Sequence, residues 1–314
     1  MEVIVPVEGA REGMEASSPQ VSVVIASLVG APFIDECLQS VKDQAEQCGA
    51  EVIVVACGPA KYAERLKQEF PWARVIPSLE RETVPELRKI GVEHAKGAII
   101  AIIEEHCLAA PDWLPRIVAA HASGTYGAVG GPVVDYAYPK LRDWVVYFCE
   151  YNGYLPPWKD SDTDNLGSAN IAYSREVLVK YKDLLSNGYW EAGLHPRLLA
   201  DGVKFRAVPE MVVHHRGPFP YGYYLEQRYW FSRAFAGCRS RDLPFTRKLA
   251  YLAASPLIPF LLLARMTRRI VEKNCRVGKF AQVVPLLIPV LIVYVAGEFV
   301  GYLAGPGDAL LKVE

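Results

Sequence analysis

Glu104, Glu105 and His106 follow directly on the aliphatic run Ile99-Ile100-Ala101-Ile102-Ile103. Two carboxylates and an imidazole just past the carboxyl end of a strand can hold a divalent cation through oxygen and nitrogen ligands. A cation there would neutralise a diphosphate leaving group. A solvated acidic turn presents the same residues, so the outcome depends on where the turn lies in the fold. His214 and His215 end a second β-like run, 204–215, and a histidine at a strand end is often structural. The seven cysteines, at 37, 48, 57, 107, 149, 238 and 275, are odd in number and contain no C-x-x-C. That excludes a paired disulfide framework and a zinc site defined by spacing, and it fits reduced thiols in a cytosolic compartment.

The elements that must position these groups follow from the pattern around them. Short β-branched runs at 21–27, 51–57, 73–78 and 97–103 alternate with helical stretches at 33–47, 61–70 and 85–96. In the first helical stretch Phe33, Ile34, Cys37, Leu38 and Val41 recur at helical spacing. Continuous apolar strands separated by helices of this length predict a mostly parallel sheet covered on both faces. In such a sheet ligands bind at the carboxyl ends of the strands, where Glu104 to His106 fall. Past residue 110 the alternation decays into loops and helices rich in Tyr, Trp, Gly and Pro. Helices near 174–185 and 191–201 then precede a last strand over 204–215.

The chain has 314 residues, with 34 Lys and Arg against 35 Asp and Glu. Near-zero net charge argues against a nucleic-acid binder, but the charge is unevenly placed. Residues 238–279 carry ten basic and two acidic residues, while 1–237 carry 23 and 30. This basic block adjoins two uncharged apolar runs, 249–264 and 280–297, and together they predict contact with a membrane surface. At 1.5 Å per residue the 16-residue first run reaches about 24 Å, short of a hydrocarbon core of roughly 30 Å. The second is long enough to span. The topology expected is 249–264 interfacial or re-entrant and 281–304 transmembrane, with the basic block on the cytoplasmic side. A two-helix hairpin and a pair of buried core helices are the alternatives. The first twenty residues lack a basic segment followed by an apolar one, so the globular part is expected in the cytoplasm. The organisation expected is a flexible 1–20, a catalytic 21–240 and membrane-associated helices over 241–314.

The run VSVVIAS, then EVIVVACG, then PELRKIGVEHAKGAIIAIIEEHCLAAPDWL resembles the nucleotide-sugar-binding half of family 2 inverting glycosyltransferases of the GT-A fold. GAVGGPV, NLGSANIAYSREVL, YWEAGLHPRLLADG, VPEMVVHH and EQRYWFSRAFAG follow in matching order, so the resemblance covers about 21–240, and the apolar C-terminus resembles that of bacterial members. It implies an α/β GT-A fold, a Rossmann-like mixed sheet, followed by membrane helices. It implies that Glu104, His106 and His215 hold Mg or Mn, and that Ala26, Ser27, Arg88, Glu104, Glu105, Gln227, Arg228 and Trp230 bind the donor. It also implies Gly167 and Asn170 beside the acceptor, and Glu191 as the base that takes the acceptor hydroxyl's proton. Two departures stand out. Glu-Glu-His replaces the usual Asp-rich motif, and Ala56-Cys57-Gly58 lacks the aspartate that reads the base in many members.

The function expected is a membrane-anchored enzyme that moves a sugar from a nucleotide-diphosphate donor, with inversion, to a hydroxyl of a lipid or lipid-linked glycan. The cell membrane, with the catalytic domain on the cytoplasmic side, is the expected location. A polyprenyl-phosphate glycosyl synthase and an inactive nucleotide-sugar-binding scaffold are the alternatives.

Overall fold

Every residue of Val21–Ser27 is buried, which requires helices on both faces of the sheet. The computed structural model describes residues 19–313 apart from 29, 218 and 242; the flexible segment expected over 1–20 falls, up to residue 18, outside them. Strand β1 (Val21–Ser27) leads to α1 (Phe33–Cys48), β2 (Glu51–Cys57), α2 (Ala60–Glu69), β3 (Arg74–Ser78), α3 (Val84–His94) and β4 (Ile99–Ile103). These four strands are parallel in the order β3-β2-β1-β4. Alternation sorts their side chains into two cores. Val23, Ile25 and Val54 pack with α1, and Val24, Ile53 and Val55 pack with Leu87 and Val92 of α3. Helix α3 begins with a capping box, Thr83 with Glu86, and Pro85 sits in its first turn. Those residues fix where the helix starts, and so where Arg88 projects one turn later.

Beyond β4 the chain forms β5 (Cys107–Ala109), α4 (Trp113–His121), β6 (Ala128–Gly130), β7 (Val133–Asp135) and α5 (Leu141–Tyr151). Then come β8 (Ser161–Thr163), β9 (Asn170–Ser174), α6 (Arg175–Lys180), α7 (Leu194–Ala200), β10 (Phe205–Ala207) and β11 (Val213–His215). The main sheet continues from β4 through β9, β6, β10 and β8, and β9 runs antiparallel to both its neighbours. A second sheet has the order β5-β11-β7. The strand expected over 204–215 is therefore two strands in different sheets. Pro209 has no N–H to give a ladder, and the chain turns there, with Met211 N–H donating to the Val208 carbonyl at 3.2 Å. The helix expected from 191 begins at Leu194, which leaves Glu191 in the turn before it. The one near 174–185 is helical only to Lys180, with a 3-10 turn over Lys182–Leu184.

Helix α8 (Tyr221–Arg239) is followed by α9 (Phe245–Ala254), a 3-10 turn at Ser255–Leu257, α10 (Ile258–Glu272) and α11 (Val277–Ala304). The run 249–264, read from sequence as too short to span, lies inside a 28-residue helical stretch, Phe245–Glu272. Both that stretch and α11 are long and apolar enough to cross a membrane by length and composition. Yet α11 lies lengthwise along α8. Tyr221 donates to the Leu286 carbonyl at 2.6 Å near one end. Near the other, Gly297 and Gly301 bring the helices so close that an added Cβ would fall 2.0 Å from Ser232 Oγ or 2.5 Å from the Arg233 carbonyl. Part of the basic block also turns inward. Arg269 donates to Asn152, Lys273 to the Leu155 and Pro157 carbonyls, and Arg276 to Asp135.

Candidate active site

The carboxyl ends of β1 and β4 open into a cavity of about 500 Å³ whose lining includes Ala26, Arg88, Glu104, His106 and Glu191. The turn that could have been a solvated acidic loop thus faces a binding cavity. Glu104 and His106 point toward each other, with Nε2 3.2 Å from Oε2. Tyr151 of α5 donates to the same oxygen at 2.8 Å, and Arg88 approaches the other at 3.4 Å. Burial by itself would raise the Glu104 pKa, but the hydrogen bond and charge of His106, then Arg88 and Tyr151, bring it down to about 2. His106 moves the opposite way: burial opposes its charge, and Glu104 overrides burial and raises its pKa.

His215 is fully buried and stands edge-on to His106, with ring centroids 5.1 Å apart. Its Nδ1 meets Tyr138 Oη at 2.6 Å, while its Nε2, like Nδ1 of His106, has no hydrogen-bond partner. Burial and the neighbouring His106 hold its pKa well below the usual histidine value, so it offers a neutral imidazole. Among the described residues, no three His, Cys, Asp or Glu side chains stand together in a group that could hold a metal ion. Arg88, His106 and Tyr151 occupy the oxygens of Glu104 instead. The donors themselves suit a divalent cation: a carboxylate of depressed pKa, an adjacent imidazole, and a buried ring nitrogen without a partner.

Glu191 reaches the cavity from the turn before α7. Its Oε1 accepts from the Ser168 backbone N–H at 2.8 Å and from Ser168 Oγ at 2.5 Å. That grip fixes the carboxylate on one side and commits one of its two oxygens. Ser168 sits beside Gly167, which lines the cavity. A Cβ on Gly167 would fall 2.7 Å from the Tyr154 ring, so this glycine makes room for an aromatic wall.

Several residues expected at the site do other work. Asn170 is buried in β9, accepts from Trp113 Nε1 at 2.8 Å, and donates to the Pro132 and Met211 carbonyls at 3.1 and 2.6 Å. Its amide is committed to joining the two sheets and is not free for an acceptor. Ser27 is likewise buried, with its hydroxyl bonded to Glu105 and Tyr62. Glu105 lines the cavity, but its carboxylate accepts from Ser27 Oγ, Leu28 N–H and Gly30 N–H. Its hydrogen bonds brace the carboxyl end of β1 and the residues just after it. On α8, Gln227 and Arg228 line the cavity and Trp230 does not. Trp230 bonds Glu226 and stacks under Lys312. The sequence reading missed Tyr151, Ser168, Glu150 and Arg265, all of them cavity-lining. The aromatic density of 131–168 signalled Tyr151, and the run Gly167-Ser168-Ala169-Asn170 contained Ser168.

The model of glycosyl transferase family 2 matches residues 22–181, about half of the chain. The chain belongs to that family. The family 2 chain is 29% identical over 132 residues to glycosyltransferase AglE of Haloferax volcanii, an alignment covering 40% of this chain and 43% of that relative. It thus spans less than half the length of this curated relative. Its architecture is similar to that of the mannosyltransferase PcManGT from Pyrobaculum calidifontis, solved with GDP-Man and Mn2+. The TM-score is 0.52 at 17% identity, covering 90% of this chain and 88% of the other. At that identity the likeness concerns the fold, the mixed GT-A sheet expected from the sequence.

Proposed function

We propose that this family 2 protein transfers a sugar from a nucleotide-diphosphate donor to an acceptor hydroxyl with inversion, on the membrane surface. The observation that carries the reading is the convergence of Glu104, His106 and Glu191 on one cavity at the carboxyl ends of parallel strands. Inversion requires a direct displacement at the anomeric carbon, with a base on the acceptor's side. Glu191, held by Ser168 with one oxygen still available, is suited to take the hydroxyl's proton. Arg88, buried and beside Glu104, offers a planar fork for a phosphate.

Glu104, His106 and His215 are the residues that would hold Mg or Mn, which the AglE and PcManGT comparisons support only through Mn2+ in the second. When bound, such a cation would offset charge on the departing diphosphate. The chain's own residues hold the loop after β1 through Glu105 and keep Glu191 in place through Ser168.

Membrane contact is supported by the exposed apolar residues of the last three helices. Phe245, Leu249, Leu257, Phe260 and Leu261 are exposed on α9, the 3-10 turn and α10. Ile288, Ile292, Phe299 and Leu303 are exposed along α11 at spacings of four and seven, one helical face. Arg247, Arg268 and Lys279 remain exposed beside them. Because the opposite side of α11 is packed on α8, the arrangement favours a bilayer met along one face over a crossing. All seven cysteines are free thiols, in keeping with a cytoplasmic side.

A thermal-shift screen of nucleoside diphosphates with and without Mn tests the donor site. Stabilisation that requires both nucleotide and metal, and that disappears in Glu104→Ala, is the expected result. Equal stabilisation of the variant would remove Glu104 from the donor site. Stabilisation by nucleotide that needs no metal, with no turnover across a donor and acceptor panel, would favour the inactive nucleotide-sugar-binding scaffold.

A further inference from the structure

The cavity does not end at Glu191. It continues between α8, α10 and α11, where Phe231, Phe235, Leu262, Met266, Leu291 and Tyr294 line it. Apolar walls of this kind suit an alkyl or isoprenoid chain and would be wasted on a sugar or a nucleotide. Two arginines interrupt them. Arg228 is only 7% exposed. Its guanidinium lies over the Phe231 ring at 4.3 Å, and its ion pair among the described residues is a long contact to Glu150 at 3.5 Å. Its Nε is buried without a partner, an arrangement that is costly unless something fills it. Arg265 lines the same cavity from α10 and is exposed; among the described residues no hydrogen bond or close ion pair holds its guanidinium, and the opposite charge it acts on is the buried Glu298 of α11. It lies on the helix that also carries the exposed Phe260 and Leu261.

We propose that this arm of the cavity is a binding site for the phosphate of a single-chain lipid phosphate, with Arg228 and Arg265 on the phosphate and the chain along α10 and α11. It rests on the transferase reading above and specifies its acceptor: a lipid-linked molecule that carries an anionic phosphate between its tail and the reacting hydroxyl. Arg228 is thereby moved from the donor set, where family resemblance had it, to the acceptor set. Its charged neighbour is Glu150 of α5, and no bond joins it to Glu104 or Glu191. Guanidinium forks match phosphate oxygens two at a time, and the unpaired Nε supplies a donor aimed at nothing else. Entry past Arg265 would come from the side that bears the exposed apolar residues, so a lipid could reach the arm without leaving the bilayer.

Calorimetric titration of the full chain with octyl phosphate, octanol and inorganic phosphate tests the site, in the presence and absence of saturating GDP or UDP with Mn. Octyl phosphate is expected to bind at least about tenfold more tightly than either of the others. That preference should fall to near nothing in Arg265→Gln, an exposed position whose variant is expected to fold as wild type, with its melting temperature measured alongside, and in Arg228→Lys. It should persist when nucleotide and Mn are bound. Equal binding of octanol would reduce the arm to an apolar groove and overturn the proposal, as would an unchanged preference in Arg265→Gln. Displacement of octyl phosphate by nucleotide would return Arg228 to the donor site, place Arg265 there with it, and overturn the proposal too. If nucleotide binds and the preference is missing, this proposal alone fails. If the preference holds and no nucleotide binds, the transferase reading fails and the lipid phosphate site stands.

Discussion

Side chains that share a motif divide sharply between those that face the cavity and those that hold it open. Glu191 and Asn170 are the clearest pair. For Glu191→Gln, transfer should fall by about 10²- to 10⁴-fold, the usual contribution of a positioned base, while nucleotide-induced stabilisation in a thermal shift stays at the wild-type level. Retained transfer to a phosphate acceptor by the same variant would point to the synthase alternative, since an ionised phosphate needs no base. Asn170→Ala should behave in the opposite way. It leaves the buried Met211 carbonyl without its side-chain donor, the Pro132 carbonyl with only the Val213 N–H at 3.3 Å, and Trp113 Nε1 without an acceptor, a loss of about 2–4 kcal/mol in chemical denaturation. The KM for acceptor in the folded fraction should be unchanged; a raised KM would restore Asn170 to the acceptor side. Glu104 and His106 were legible in the sequence because a strand end places them by itself. The partners that decide their chemistry were not. Tyr151 and Ser168 reach Glu104 and Glu191 across 47 and 23 residues of chain, and no local pattern announces such contacts.

Among elements, the parallel half was readable because its strands are buried on both faces and its helices keep a regular 3.6-residue stripe. The later strands β5, β6, β7 and β8 have three residues each, too few for alternation to register, and they appear only once long-range partners are present. The basic block shows a different gap. Charge composition could not say that Arg269, Lys273 and Arg276 would turn inward to hold the α10–α11 junction on the catalytic part. Nor could hydropathy tell a lipid-facing helix from one whose glycines seat it on α8. Gly301→Leu tests that seating. With the Arg233 carbonyl 2.5 Å from where a Cβ would sit, overpacking should lower stability by about 1–3 kcal/mol. A melting temperature equal to wild type would mean that α11 is held to α8 by something other than this close approach.

For the whole molecule, the question is how the last helices meet the bilayer, because that sets where a lipid acceptor can enter. If α11 lies flat on the surface, as its packing along α8 favours, its two ends stay on the same side. If it crosses, they are separated by the hydrocarbon core. Cys275 stands just before α11 and Gly307 just after it. In a variant with the other six cysteines replaced by serine or alanine and Gly307→Cys added, both thiols should react with a membrane-impermeant maleimide applied to one side of sealed vesicles. Protection of one thiol until the membrane is permeabilised would restore the spanning reading. The affinity of the flat mode comes from the exposed apolar face, and each Phe or Leu taken out of water contributes about 1.5–3 kcal/mol. Phe260→Asp with Leu261→Asp, at positions 72% and 64% exposed, should therefore abolish flotation with vesicles and leave the melting temperature intact. The same variant should still turn over a short water-soluble acceptor. Lost turnover on the lipid-embedded acceptor alone would tie membrane seating to acceptor delivery, and unchanged flotation would shift the contact to another face of the protein.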